Sequence, residues 1–285
     1  MRNYTMGTVV EGKRFPWETV LDCDNATGRL VYGSPMCNLY QMEEALALRQ
    51  SLGLLNRQLE LPGFDARPVG PFQTGLFMVA HEGTLHGRLG QWGLIRPGQP
   101  ERIDYIQPKP EPGKKPRAKR PRHTNNARIE AMDGTERPTN AAKVWKAGRR
   151  CLIPARWYQE PNWETKKNIW WHLKRADGQP WFLAGLWSDD WADPDTGEVI
   201  PSFTMITCNC DGHPLLSRLH RHDDKLPDNA QDKRSLVHVD PEDWEAWLKG
   251  PEPAARALIK PQPIEVFDVA DAIATDAALA AQGTL

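Results

Sequence analysis

Apolar and polar positions alternate with two different periods along the chain, and the changes of period mark its elements. From Met42 to Arg57, Ala45, Leu46, Leu52 and Leu55 recur at helical spacing, which predicts a helix. Thr74–Ala80 and Thr84–Leu94 read as two strands joined through His81-Glu82-Gly83. Cys151–Tyr158 reads as a strand. Ile169–Arg175 and Trp181–Trp187 flank an Asp177-Gly178 turn and read as a hairpin, because Asp-Gly supplies the backbone geometry of a tight turn. Ser202–Cys208, Ser235–Val239 and Ile264–Val269 are further strands. Thr139–Lys146 predicts a short helix ending near Gly148. Asp240 is positioned to cap another, with Pro241 in its first turn and Glu242 and Asp243 near its positive end. Many short strands, a few helices, no repeats and no regular βαβ alternation predict an α+β fold: a mostly antiparallel, barrel-like sheet with flanking helices.

Three segments stand apart. Residues 1–35 carry scattered polar residues, Gly and Pro with no sustained period, and Met36-Cys37-Asn38-Leu39-Tyr40 then looks like a second beginning. Residues 1–35 are either an ordinary N-terminal extension or lie upstream of a true start at Met36; the second is the working expectation. Residues 107–123 form a Pro-rich basic loop, in which Lys109–Arg122 supplies seven basic residues against one acid, Glu111. Such a loop is a contact for a phosphate backbone or simply a solvated charged surface. The Ala-rich end, 270–285, is expected to be a loose helix or a disordered tail.

Composition bounds the possibilities. The chain has 285 residues, 40% of them hydrophobic, enough to build a core. Its net charge of −1 gives no whole-chain signal for nucleic acid, so local charge has to carry any such role. Twelve Trp residues supply core, and also surfaces on which unpaired bases stack. The five Cys are odd in number and scattered, and Met1–Trp17 lacks the apolar stretch of a secretory signal. They read as reduced thiols of a cytoplasmic protein. No apolar run approaches the ~20 residues of a membrane span.

Candidate chemistry lies in four separated places: Cys37, Asn126-Ala127-Arg128-Ile129-Glu130, Glu160 and His220. Each has a plain reading by itself. A lone Cys is usually buried and inert. Glu160 reads as a solvated strand-end carboxylate, Arg128 as a salt bridge to Glu130, Asn126 as a turn residue and His220 as a surface or structural histidine. Cys208, Cys210, His213, His220 and His222 fall within fifteen residues and raise a zinc site, but their spacing fits two small core residues and a polar loop better. A Cys–His hydrolase using Cys37 or Cys151 is a second alternative. A non-covalent single-strand-binding module is a third.

Taken in order, these segments resemble the SRAP family, the SOS-response-associated or abasic-site-processing proteins. The matching blocks are Met36–Tyr40, Trp92-Gly93-Leu94-Ile95, Asn126–Glu130, Arg150-Cys151-Leu152-Ile153-Pro154-Ala155, Phe182–Trp187, Ser202–Thr207, Leu219-His220 and Asp243–Leu248. Glu160 falls where the family has the Glu of its aromatic-Glu-Trp motif. The resemblance implies one SRAP-like domain over 36–269. It implies a DNA-damage role in which a mature N-terminal Cys37 joins, through its amine and thiol, the aldehyde of an abasic site in single-stranded DNA. It also implies peptidase or lyase activity, no cofactor, no metal and a monomer associated with the nucleoid when bound. Glu160 would shuttle protons, His220 (or His222) would act as acid or base, and Asn126 would hold the Cys37 end or the sugar. Arg128, Lys114, Lys115, Arg117, Lys119 and Arg120 would meet phosphates, and Trp92 would stack on a base. Three departures are visible: Asn38 in place of Gly, Pro161 in place of Trp, and a longer polar stretch, Arg221–Lys233, after His220. With residues 1–35 attached, Cys37 has no free amine, so the expected chemistry requires a start at Met36 or removal of the segment. The Met36–Cys37 bond is a candidate for self-cleavage.

Overall fold

The computed structural model describes residues 38–55, 58–110, 113, 117–133 and 138–283. It opens with strand β1 (Leu39–Met42), helix α1 (Ala45–Leu54), and short strands β2 (Leu59–Glu60) and β3 (Pro68–Val69). A long hairpin follows, β4 (Thr74–His81) and β5 (Thr84–Trp92). Next come a two-stranded ribbon, β6 (Tyr105–Ile106) with β7 (Arg120–Pro121), and then β8 (Asn126–Arg128). Helix α2 (Asn140–Lys146) leads into β9 (Arg150–Asn162), β10 (Ile169–Leu173), β11 (Trp181–Ser188), β12 (Ser202–Asn209) and β13 (Arg234–Leu236). Helices α3 (Trp244–Leu248), α4 (Glu252–Ala257) and α5 (Ala270–Gly283) end the chain. These elements all lie within the unit Pro35–Leu285 and form one α+β domain.

Strands β9, β11, β12, β5 and β4 pair in cyclic order, so the sheet curls back on itself. The seams are thin. Strands β4 and β9 meet at one pair, Met78↔Leu152, and β5 meets β12 at Gln91↔Ser202 and Trp92↔Phe203. The sheet is therefore partly ring-like rather than a clean barrel. Antiparallel pairing dominates; β12 runs parallel to β5 and β8, and β2 runs parallel to β5.

The hairpin β4–β5 turns on two residues, Glu82 (φ 48°) and Gly83 (φ 82°), with His81 paired to Thr84. Two successive left-handed residues give the turn whose twist matches the strands, and Gly takes the second position without strain. The turn is one residue tighter than the sequence suggests.

The predicted hairpin across Asp177-Gly178 does not form. Both of its strands pair with β9 instead: β11 covers Arg150–Ala155 and β10 covers Tyr158–Asn162. They run end to end along one partner, and residues 174–180 are an excursion between them. The Asp-Gly turn is real, but it closes a loop, because the long β9 offers both apolar strands a better partner than each other.

Other expectations shift with packing. In α1, Leu48 and Leu52 face the core, whereas Leu46 is 68% exposed; only two residues from Leu48, it lies on the far side of the helix. Leu55 follows the last helical turn and is also exposed. The expected strand Ile264–Val269 is a 3-10 turn over Ile264–Val266 with one bridge, Arg175↔Phe267, since Pro261 and Pro263 withhold ladder donors. Asp240 occupies the N-cap position but makes no side-chain cap bond; its carboxylate lies 3.2 Å from His238 instead. The Ala-rich end is neither loose nor a tail: α5 docks on β10, where Trp171 Nε1 donates to Thr275 Oγ1 at 3.0 Å and the His172 N–H donates to Asp271 at 2.6 Å.

Tryptophans fill the core, among them Trp145, Trp181, Trp244 and Trp247, whose large rings remove much apolar area from water. Trp157, Trp163, Trp170 and Trp187 are only half-buried, so the tryptophans supply core in part.

Candidate active site

The second half of β9 carries Glu160 inward. Its neighbour Gln159 pairs with Leu39 of β1 on one side and with His172 of β10 on the other, so the strand end is flanked by both partners. Glu160, opposite Trp171, is 2% exposed. It is thus a buried acid rather than a solvated strand-end carboxylate.

His220 reaches it from a different part of the chain. A 3-10 turn, Leu216–Arg218, ends at Leu219, which bridges Asn162 at the tip of β9. His220 then adopts a left-handed backbone (φ 62°), and its N–H donates to the Pro161 carbonyl at 2.6 Å. Pro161 thereby serves as an acceptor where the strand needs no donor. Asn162 adds a side-chain bond to the Arg218 carbonyl at 3.0 Å. The result sets His220 Nε2 3.7 Å from Glu160 Oε2. Among the described residues, Nε2 has no hydrogen-bond partner, while the ring bonds the backbone of Arg234. Burial pushes the imidazole down to about 4, with the Lys233 charge adding to the effect. At neutral pH the pair is a neutral imidazole facing a carboxyl group, an arrangement suited to moving a proton.

Asn126 and Arg128 lie on β8, which runs parallel to β12 with Asn126 opposite Met205 and Arg128 opposite Thr207. One residue apart from Ala127 on either side, they share a face of the strand. Arg128 does not pair with Glu130. The strand stops at Arg128, a 3-10 turn begins at Ile129, and the two charges diverge. Arg128 bonds Asp232 at 2.6 Å, and Glu130 takes the guanidinium of Arg234, Nη1 to Oε1 at 3.0 Å. Arg234, whose side chain is 4% exposed, thus touches Glu130 in the turn after β8 through its side chain and His220 through its backbone. Lys233, Arg234, Asp232 and Asn162 were not singled out from the sequence, because nothing in a polar run marks which charges will be buried.

The remaining candidates sort as follows. Trp92 is fully buried, edge-on to Tyr40, and its Nε1 donates to the Asn125 carbonyl at 2.8 Å. Neither ring face is open to a base, so the stacking expectation fails for it. His222 is half-exposed, 3.5 Å from Asp228, and His220 is the histidine beside Glu160. Arg117, Lys119 and Arg120 are exposed on the arm closed by β6 and β7. Cys37, Lys114 and Lys115 lie outside the described residues. His213 spends Nδ1 on the N–H groups of Leu215 and Leu216 and Nε2 on Gln262, which makes it structural. Among the described residues no group of three or more His, Cys, Asp or Glu is arranged to hold a metal ion. Cys151, Cys208 and Cys210 are buried, and burial pushes each thiol up, Cys208 to about 11, which makes them poor nucleophiles. Among the described residues no helix is long and apolar enough to cross a membrane.

Comparison with known proteins gives this geometry a family. No curated protein matches the chain. Among solved structures, a protein from Bordetella bronchiseptica is similar at 26% identity and a TM-score of 0.63, over 81% of this chain and 97% of its own. A protein from Bacteroides thetaiotaomicron, at 19% identity and a TM-score of 0.57, covers 81% of this chain and 90% of its own. A phage-related protein from Bordetella bronchiseptica, at 15% identity and a TM-score of 0.52, covers 81% and 92%. The last two show likeness of fold alone. The model of the SRAP family, SOS response associated peptidase, matches residues 36–275, most of the chain. The chain belongs to the SRAP family.

Proposed function

We propose that this protein captures abasic sites in single-stranded DNA by a covalent bond to Cys37. One observation carries the reading: the buried Glu160–His220 pair sits beside the start of β1, where Leu39 is opposite Gln159. Cys37 precedes Leu39 by two residues, a tether of at most about 7 Å. The family match, which begins at residue 36, and the family's description as SOS response associated add support.

The chemistry uses both nucleophiles of an N-terminal cysteine. The amine attacks the aldehyde of the ring-open sugar, and loss of one water gives a Schiff base. The thiol sulfur then adds to the imine carbon while the imine nitrogen takes up a proton, closing a thiazolidine. Aldehyde and aminothiol give adduct and one water, with no change of oxidation state. Glu160 supplies the proton that the leaving hydroxyl needs. His220, neutral at pH 7, takes the anomeric hydroxyl proton as the bond from that carbon to the ring oxygen breaks and returns it to the ring oxygen, which becomes a hydroxyl. Arg128 suits a phosphate because its guanidinium forks onto two oxygens. The exposed Arg117, Lys119 and Arg120 suit the backbone further along the strand. Asn126 would orient the sugar. A peptidase reading also needs a reactive thiol, and the raised thiols of Cys151, Cys208 and Cys210 direct either chemistry away from them.

The test is a denaturing gel after mixing abasic single-stranded DNA with protein starting at Met36, full-length protein, and Cys37→Ala. A heat-stable adduct is expected from the Met36 form, with Met36 removed as verified by mass, and none from Cys37→Ala. An equal adduct from uncleaved full-length protein rules out the free-amine step. No adduct from any form overturns the reading.

A further inference from the structure

The stretch between His220 and β13 is long and polar, yet it is tied down. Gln231, 9% exposed, accepts from the Asp223 N–H at 2.7 Å and donates to the carbonyls of Asp223, Leu226 and Pro227. Asp211, just after β12, accepts the N–H groups of Asp232 and Lys233 at 3.1 and 2.7 Å. The loop is knotted on itself and pinned at its end. Lys233 then turns inward, 6% exposed, and its Nζ donates to the Leu219 carbonyl at 2.7 Å and to the His220 carbonyl at 2.8 Å.

We propose that Lys233 is a positioning residue for His220: its ammonium clamps the two consecutive carbonyls of the Leu219–His220 turn and so aims the imidazole at Glu160. The catalytic meaning rests on the abasic-site reading; the clamp itself does not. A left-handed backbone is uncommon at a residue other than glycine, and contacts that hold it in place lower its cost. Two bonds to successive carbonyls enforce it here, together with the His220 N–H to Pro161. A buried ammonium is costly unless paired, so its burial at this turn is compensated by those same bonds. The charges around the ring are defined. Glu160 faces it from β9, and Lys233 and the Arg234 backbone face it from the β13 side. Cys210, Asp211 and Glu164 face Lys233 in turn. After burial, the Lys233 charge is the next cause that disfavours imidazolium, which keeps the His220 ring neutral.

Two variants separate geometry from charge. Lys233→Gln keeps a donor for one carbonyl and removes the charge; Lys233→Met removes both. In the full chain, the His220 ring titration is followed by nitrogen NMR, its signal assigned by loss in His220→Asn. The wild-type midpoint is expected near 4, and Lys233→Gln should raise it by about one unit. In the crosslinking assay, Lys233→Gln should slow adduct formation about tenfold through the lost aim of the ring, because the raised midpoint by itself makes a stronger proton acceptor. An unchanged His220 midpoint in folded Lys233→Gln overturns the proposal, as does a lower melting temperature with unaltered titration and rate. If Lys233→Met does not fold, Lys233→Gln decides alone. If wild-type protein forms no adduct at all, the abasic-site reading fails while the NMR titration still decides the clamp.

Discussion

Arg234 grips the Glu130 carboxylate with its guanidinium, Nη1 to Oε1 at 3.0 Å, while its backbone bonds the ring of His220. The two partners are unequal: the Arg234 side chain is 4% exposed and that of Glu130 is 55% exposed. The buried guanidinium has most to lose if the contact is broken, although Asp232 provides a second acceptor at 3.2 Å.

Glu130→Gln should therefore cost about 1–2 kcal/mol at neutral pH. The Arg234 hydrogen bond, ahead of other causes, holds the Glu130 carboxyl below its ordinary 4.5. That stabilisation is full above the unfolded value and is lost as pH falls through the lower folded value. Urea midpoints of wild type and variant should differ at pH 7, and the gap should narrow as pH falls below 4.5. A gap that stays constant counts against the pairing.

Trp92→Phe should lower stability by about 1 kcal/mol through loss of the indole bond to the Asn125 carbonyl. Its affinity for single-stranded DNA, read by fluorescence anisotropy, should match wild type, because the ring is buried. Weaker binding by a fully folded variant would return Trp92 to the DNA surface.

Thr275→Val leaves the buried Trp171 N–H without its acceptor and should cost about 1–3 kcal/mol. The loosened α5 should also release Asp276 from Arg218, one residue before Leu219. Thermal melts and the tryptophan emission maximum check this: a lower Tm with a red shift is expected, and an unchanged pair would mean α5 contributes little.

His220 gives a second pH dependence. Its folded value, about 4, lies below the unfolded 6.5, so the unfolded chain binds a proton between those values that the folded chain refuses. Stability should fall as pH drops from about 6.5 to about 4. His220→Asn, a residue tolerant of the left-handed backbone, should make the fall of the denaturation midpoint shallower across that window, where His123, His213 and His238, also held down by burial, supply the remainder. An equally steep curve in the variant would assign the dependence to other groups.

The fold class was legible because short, mostly apolar runs bounded by turn residues mark strands even where both faces are buried, as in Thr74–His81 and Ser202–Asn209. Pairing was not. Asp177-Gly178 announces a turn, but whether the flanking strands meet depends on β9, whose length no local pattern reveals. The site was legible as four short motifs, and the geometry unites Glu160 with His220. What stayed hidden was the layer beneath: Lys233 and Arg234 look like surface charges in a polar run until Asp211, Gln231 and Glu130 fix the loop around them. Trp92 was misassigned for the opposite reason, since a conspicuous aromatic in a matching block is as readily core as surface.

Strands β10 and β11 both take their register from β9, so neither depends on the length of the excursion between them. The exposed Asp177–Gly178 tip is thus a permissive seam. A tag, a reporter domain or a new pair of termini introduced there is expected to give up the Asp177 carboxylate's bonds to Arg175 and to the Gln179 N–H, but not the β9–β10 pairing that aligns Glu160.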